Sequence, residues 1–407
     1  MILFMLIMLQ MTSLWNWLVA DYTLTKNLRK YSIRHVKISE ADMSRTKKLV
    51  RDYIEDEIMW YCRRNSTLPI QNLEYTGSVY ERLKTEAADE VDVMVVLKTY
   101  KPWFWGDPEV VVEDTGIPGY VRLKTTMADS KLRKYVSSEG YIIPERLRNG
   151  WFYSLVDQAV RDFRARSPNS EVDLLLRYHG PAVQLDIFQK GSGVKLVSAD
   201  LVPCLEINSG NYFVAKRYAG SDLLWRRSFS REEKYLLGCM DRDDGGCRHE
   251  LFRIVKTIVK RERTSLGRLN SYHLKTAFMH YLEEKPDGWG GKNSLGKHFV
   301  GFLTELQVSL GTGNLPHYWL PNVNVLGDIH HGVAEQMAYR LKRILNSEAV
   351  RNDVLELEEN RGNQLLQRGT PERDTNCSVC FVALVFVLTC IGLLHVCCFV
   401  EHLSKSN

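Results

Sequence analysis

The chain has 407 residues, of which a quarter are charged, and it carries a formal net charge of +5. That length and polarity allow a substantial core divided between two lobes. Nine cysteines do not make a disulfide framework here, because Cys62, Cys204, Cys239 and Cys247 are scattered over the body and the other five gather near the C-terminus. No internal repeat or low-complexity tract is apparent.

In chain order, residues 1–20 come first, opening MILFMLIMLQM. This apolar segment lacks the basic leader of a secretory signal and is short for a membrane span. Its role stays open among signal, anchor, interfacial helix and upstream start. Residues 22–51 carry Lys26, Arg29, Lys30, Arg34, Lys37, Arg45, Lys47, Lys48 and Arg51 against Glu40 and Asp42. With Lys131 to Lys134 and Arg253 to Arg263, this stripe is the electrostatic footprint of a polyanion partner.

Gly77-Ser78 follows. A backbone without Cβ can approach a phosphate closely, and the serine hydroxyl can donate to it. About a dozen residues on, the aliphatic run Val91 to Leu97 suits a buried strand. Glu90 and Asp92 lie two apart at its leading end, so both carboxylates share one face. Two acids so close repel unless a cation lies between them, and magnesium takes such a set with waters and phosphates. Nucleotidyl transfer by two metals needs a third carboxylate. The segment PAVQLDIFQKGSGVKLVSADLVPCLEI reads as two paired strands around Gly191-Ser192-Gly193. It offers Asp200 and, as competitor on the neighbouring strand, Asp186; an acid inside the apolar run at Asp200 is the better candidate, since burying it without a partner is costly.

Further on, Leu251, Ile254, Val255, Ile258 and Val259 recur at helical spacing and leave Arg253, Lys256, Lys260 and Arg263 near the other face. A second helix from Ser271 buries Leu274, Ala277, Phe278, Tyr281 and Leu282. Ser271 and Lys275, four apart, share a face. Residues 351–376 read as a polar tether. Cys377 to Val400 is then a run of 24 residues without an ionised side chain other than the potentially titratable His395, long enough to cross a hydrocarbon core of about 30 Å. The expectation is a single-pass C-terminal transmembrane helix with the preceding lobes on the cytosolic side. Arg361, Arg368 and Arg373 before the span, against Lys405 after it, agree with that orientation. Cys397 and Cys398 are candidates for acylation.

Taken together, TGSVYERLKTEAADEVDVM, SADLVP, WRRSFSREEKYLL, GGCRHELFRIVKTIVK, LNSYHLKTAFMHYLEEKP and LPHYWLPNVNVL resemble successive blocks of cyclic GMP-AMP synthase and its animal relatives. This family also contains the male-abnormal-type proteins. The resemblance covers roughly Lys30 to Arg343 in family order. It implies an α+β, two-lobed nucleotidyltransferase fold: a mixed-sheet catalytic lobe over 21–205 and a helical lobe over 206–350.

It also implies roles residue by residue. Ser78 matches a serine on the ATP phosphates, and Glu90, Asp92 and Asp200 match a metal triad for Mg2+ or Mn2+. Arg226 and Ser228 match contacts to the guanine of GTP; an arginine pairs well with a guanine edge. Glu233 falls near the adenine nucleotide. Lys256 matches a phosphate lysine, Tyr272 an aromatic residue stacked on a base, and Ser271 and Lys275 lie beside it. The zinc thumb of the vertebrate synthase needs one His and three Cys; Cys239, Cys247 and His249 leave that set incomplete, so no zinc is expected. The resemblance thus implies a synthase of cyclic dinucleotides from ATP and GTP in innate immune signalling. Its activator would be double-stranded nucleic acid, RNA favoured over DNA, with an oligomer assembled on it. A silent male-abnormal-type scaffold and a linear RNA-end nucleotidyltransferase are the competing readings.

Overall fold

The computed structural model describes residues 22–357 except 100–107, 209, 217, 242–243 and 292. After a first helical segment that ends at Val36 comes a long helical run, in which α1 (Glu40–Leu49) continues through Val50–Met59 and Trp60–Asn65. Ser39 caps it by accepting from the Asp42 amide at 3.0 Å, and Glu40 and Asp42 in the first turn suit the helix dipole. The run buries Val50, Ile54, Ile58 and Met59 under the sheet and leaves Arg45, Lys47, Lys48 and Arg51 exposed.

The sheet has nine strands among the described residues. They are β1 (Ile70–Thr76), β2 (Glu90–Lys98), β3 (Val110–Asp114), β4 (Tyr120–Thr125), β5 (Val172–His179), β6 (Ala182–Gln189), β7 (Lys195–Ile207), β8 (Asn211–Val214) and β9 (Leu224–Ser228). Their order is β1-β2-β7-β8-β9-β4-β3, with β6 also paired to β7 and β5 to β6. Only β2 and β7 run parallel; the other pairs are antiparallel. The sheet is therefore mixed, as expected. It continues through Ser228, past the lobe boundary placed at 205.

Strand alternation explains where the acids go. On β2, Val91, Val93, Val95 and Leu97 face the main core with Phe152, Val156 and Leu201. The opposite face carries Glu90 and Asp92, then Met94 and Val96, which pack with Cys204 and Tyr212. Apolar burial on both faces pins the register, and a slip by one residue would send the carboxylates into the core.

Beyond the sheet come α2 (Gly77–Tyr80, in the β1–β2 connection), α3 (Ser154–Arg166), α4 (Ser230–Gly238), α5 (Cys247–Arg261), α6 (Ser271–Glu284), α7 (Ser294–Thr312) and α8 (His331–Asn346). Helices α5 to α8 enclose a second core around Phe252, Phe278, Phe299, Phe302 and Leu341. The predicted faces of α5 and α6 hold apart from one residue: Leu251, Ile254, Val255, Ile258 and Val259 are buried, as are Leu274, Ala277, Phe278 and Tyr281, while Leu282 is only partly buried. Leu28, Tyr31 and Val36 from the chain's opening helical segment join this second core.

The membrane expectation is corrected. No helix among the described residues is long and apolar enough to cross a membrane. The helix α7, 19 residues long, spends its apolar residues Phe299, Phe302, Leu303, Leu306 and Leu310 on the helical core and carries Lys297 and Glu305. The span expected at 377–400, like the segment 1–20, lies outside the described residues. On that finding the reading of a single-pass membrane protein with cytosol-facing lobes is withdrawn, and the fold class reduces to the mixed-sheet lobe with its helical partner.

Candidate active site

Parallel pairing of β2 with β7 sets Asp92 directly beside Asp200, and Glu90 beside Ser198. That register distinguishes the two acids by position. Asp200 stands next to Asp92, whereas Asp186 faces Ser198 from β6. Asp186 is 1 % exposed and satisfied: the Ser198 hydroxyl donates to it at 2.5 Å and Arg177 lies 2.7 Å away.

Gly77 follows β1 with φ +75°, a left-handed conformation that favours glycine. A Cβ there would collide with the Asp92 carboxylate, so the glycine is what lets the Gly-Ser turn lie against the acid. Ser78 follows in the single turn of α2. A cavity of about 510 Å3 opens at this point, and Ser78, Glu90, Asp92, Lys256, Ser271, Tyr272 and Lys275 all line it. Seven of the expected site residues therefore meet in one place.

Three of the other four connect to it. Asp200 adjoins Asp92 in register. Glu233 reaches the cavity through Lys275, whose ammonium lies 2.7 Å from Glu233 and 2.8 Å from Glu81. The Arg226 guanidinium sits 6.0 Å above the Tyr272 ring, and the Tyr272 hydroxyl is 2.7 Å from His317 Nε2. Ser228 points elsewhere: its hydroxyl donates to Ser230 Oγ at 3.1 Å and to the Met94 sulfur at 3.7 Å.

The charges are crowded. Burial, then the neighbouring Asp200 and Glu90, push the Asp92 carboxyl up to about 6. Burial, with help from Lys84 and Lys275, pulls the Lys256 ammonium down to about 8. Burial alone would also depress Lys275, but Glu233 and Glu81 outweigh it and hold that ammonium above its ordinary value. Burial raises Glu233 against the pull of Lys275.

Sequence reasoning missed several participants. Lys84 lies 3.3 Å from both Asp89 and Glu90. Asp200 takes its partners from the β5–β6 hairpin, Gln184 and His179, each at 2.9 Å, and the bond to Asp200 raises His179. Residues 81–86 form a strap tied to α5. His249 Nε2 bonds the Glu81 carbonyl at 3.0 Å, Arg253 the Arg82 carbonyl at 3.3 Å and Lys256 the Leu83 carbonyl at 3.2 Å, while Lys260 pairs with Glu86. Alternation could have flagged Gln184, two residues from Asp186 on the same strand face; the strap's partners lie some 170 residues away and carry no local signal.

Among the described residues, no three His, Cys, Asp or Glu side chains are gathered closely enough to hold a metal ion; Glu90 pairs with Lys84, and Asp200 with Gln184 and His179. The donor chemistry nonetheless suits a hard divalent cation. Three carboxylates share one sheet face, and Asp92, raised first by burial and then by Asp200 and Glu90, is a group whose charge such an ion would favour.

Comparison with known proteins agrees with this architecture. Residues 79–238 match the Mab-21 protein nucleotidyltransferase domain, and residues 247–343 the Mab-21 protein HhH/H2TH-like domain. Cyclic GMP-AMP synthase-like receptor 3 from Stylophora pistillata is 50 % identical over 342 residues, covering 82 % of this chain and 98 % of that protein. Cyclic GMP-AMP synthase-like receptors from Nicrophorus vespilloides and Ctenocephalides felis are 28 % and 24 % identical, covering 68 % and 67 % of this chain and 78 % and 72 % of their own lengths. The chain belongs to the Mab-21 family, among its cyclic GMP-AMP synthase-like nucleotidyltransferases.

Proposed function

We propose that this protein joins ATP and GTP into a cyclic dinucleotide second messenger once a double-stranded nucleic acid, RNA in first place, engages its basic surface. The observation that carries the reading is the register that sets Asp92 beside Asp200, with Gly77 packed against the same carboxylate. Glu90, Asp92 and Asp200 would hold Mg2+ or Mn2+. When bound, these ions neutralise the developing charge on the phosphates and lower the pKa of the attacking hydroxyl.

The chain's own groups do the rest. Gly77 and Ser78 face the triphosphate, and Lys256 and Lys275 supply positive charge from the helical lobe. Tyr272 offers a flat face for one base, with Arg226 above it for a guanine edge. Asp200 accepts the proton of the ribose hydroxyl, whose oxygen attacks the α-phosphorus in line while pyrophosphate leaves. A second such step closes the ring. The lobes divide the work, the sheet holding the reacting phosphates and α5 and α6 holding the nucleotides. Arg45, Lys47 and Lys48, exposed on α1, offer positive charge on which a duplex and further copies would assemble.

Mass spectrometry of the products decides the matter. The protein is incubated with ATP, GTP and Mg2+ or Mn2+, with and without double-stranded RNA or DNA. A cyclic dinucleotide formed only with a duplex is expected. An extended RNA primer would identify a linear nucleotidyltransferase instead, and no turnover with any duplex would identify a binding scaffold.

A further inference from the structure

Each oxygen of the Asp200 carboxylate has its own donor, and both donors come from one hairpin. Gln184 lies directly across from Asp200 in the β6–β7 ladder, and its amide donates to Oδ1 at 2.9 Å. His179, the last residue of β5, reaches diagonally across the sheet, and its Nδ1 meets Oδ2 at 2.9 Å. Asp200 is 7 % exposed, so without these donors its charge would stand almost unsolvated. Two residues back along β7, Ser198 faces Asp186, which is served by different partners, Ser198 and Arg177. The pairing of His179 and Gln184 with Asp200 is thus specific to the acid that adjoins Asp92.

We infer that His179 and Gln184 are positioning residues for nucleotidyl transfer. A carboxylate oxygen has two lone pairs, and one hydrogen bond to each leaves the second free. Held from both sides, Asp200 cannot rotate, and its free lone pairs stay available to an ion and to the ribose hydroxyl. Partners of this kind commonly contribute 10- to 100-fold to metal affinity or activity. The inference rests on the reading of Asp200 as a metal-holding carboxylate. The same contacts would have the opposite sign if they locked Asp200 away from an ion.

The test uses the full chain with Mn2+ alone, bound ion being read from the loss of the free-ion electron paramagnetic resonance signal. Duplex-activated kcat and KM for ATP are measured alongside. Gln184→Leu and His179→Ala are expected to weaken Mn2+ binding by about 10- to 100-fold and to lower kcat while KM for ATP holds. His179→Gln, which keeps a donor, is expected to recover most of the loss. The His179 side chain is 59 % exposed, so its variants leave the fold intact even if Gln184→Leu does not. His179 variants with parental Mn2+ affinity and kcat, or with tighter Mn2+ binding, overturn the inference. Asp200→Asn separates the two readings: if it abolishes Mn2+ binding while the His179 variants change nothing, only the inference falls. If Asp200→Asn itself binds and turns over normally, or the parent takes up no Mn2+, the metal-site reading falls with it.

Discussion

Gly77 shows how one missing side chain sets the site. Its φ of +75° costs other residues about 1–2 kcal/mol, and a Cβ would strike the Asp92 carboxylate. Gly77→Ala is therefore expected to lose product formation far beyond its effect on stability, which a thermal melt beside a synthesis assay will show. Lys256 gives a pH dependence of definite sign. Its ammonium titrates near 8 in the folded chain, against an ordinary value near 10.5. Between those values the unfolded chain binds more protons, so this residue's burden on stability is fully present below about pH 8 and eases as pH rises. Nucleotide binding runs the other way. KM for ATP should climb as pH passes about 8 in the parent, and Lys256→Arg should flatten that climb, since a guanidinium keeps its charge.

At the scale of elements, the strap of residues 81–86 is fastened by one buried leucine, a buried bond from His249 to Glu81 and more exposed ties at Arg82 and Glu86. Leu83 is 1 % exposed and belongs to the helical core, whereas Lys260 and Glu86 are roughly half exposed. Leu83→Ala should cost about 2–5 kcal/mol in chemical denaturation, and Glu86→Ala under about 1 kcal/mol. Much of this site was legible without coordinates. The acid-x-acid opening of β2, the aliphatic alternation behind it and the helical faces of α5 and α6 are local patterns, and they sit where expected. The choice between Asp200 and Asp186 needed the ladder, because both acids alternate correctly on their own strands. The hold of Gln184 and His179 on Asp200 likewise depends on a hairpin register that no single strand encodes. Strands β8 and β9 escaped because they are short, four and five residues, and lie between turns. The C-terminal span rested on hydropathy alone, and hydropathy does not show whether an apolar run forms a spanning helix.

At the scale of the described molecule, the first helical segment completes the helical lobe. Leu28, Tyr31 and Val36 precede the sheet in sequence yet lie in the helical core with Phe252 and Phe299. The helical lobe is thus assembled from both ends of the described chain. Leu28→Ala is expected to lower stability by about 2–5 kcal/mol. Hydrogen exchange should show the loss concentrated in α5 and α7 while β2 and β7 keep their protection.

Adjacency of Asp92 and Asp200 also has a meaning in time. The two strands that bring them together are separated by roughly 100 residues of intervening hairpins and helix. On a ribosome adding about 5–20 residues per second, the second acid emerges some 5–20 s after the first. Throughout that interval the nascent chain displays the Gly-Ser turn and the acid pair yet has no triad. A truncated product ending before β7 would carry the most recognisable part of the motif and be chemically blank.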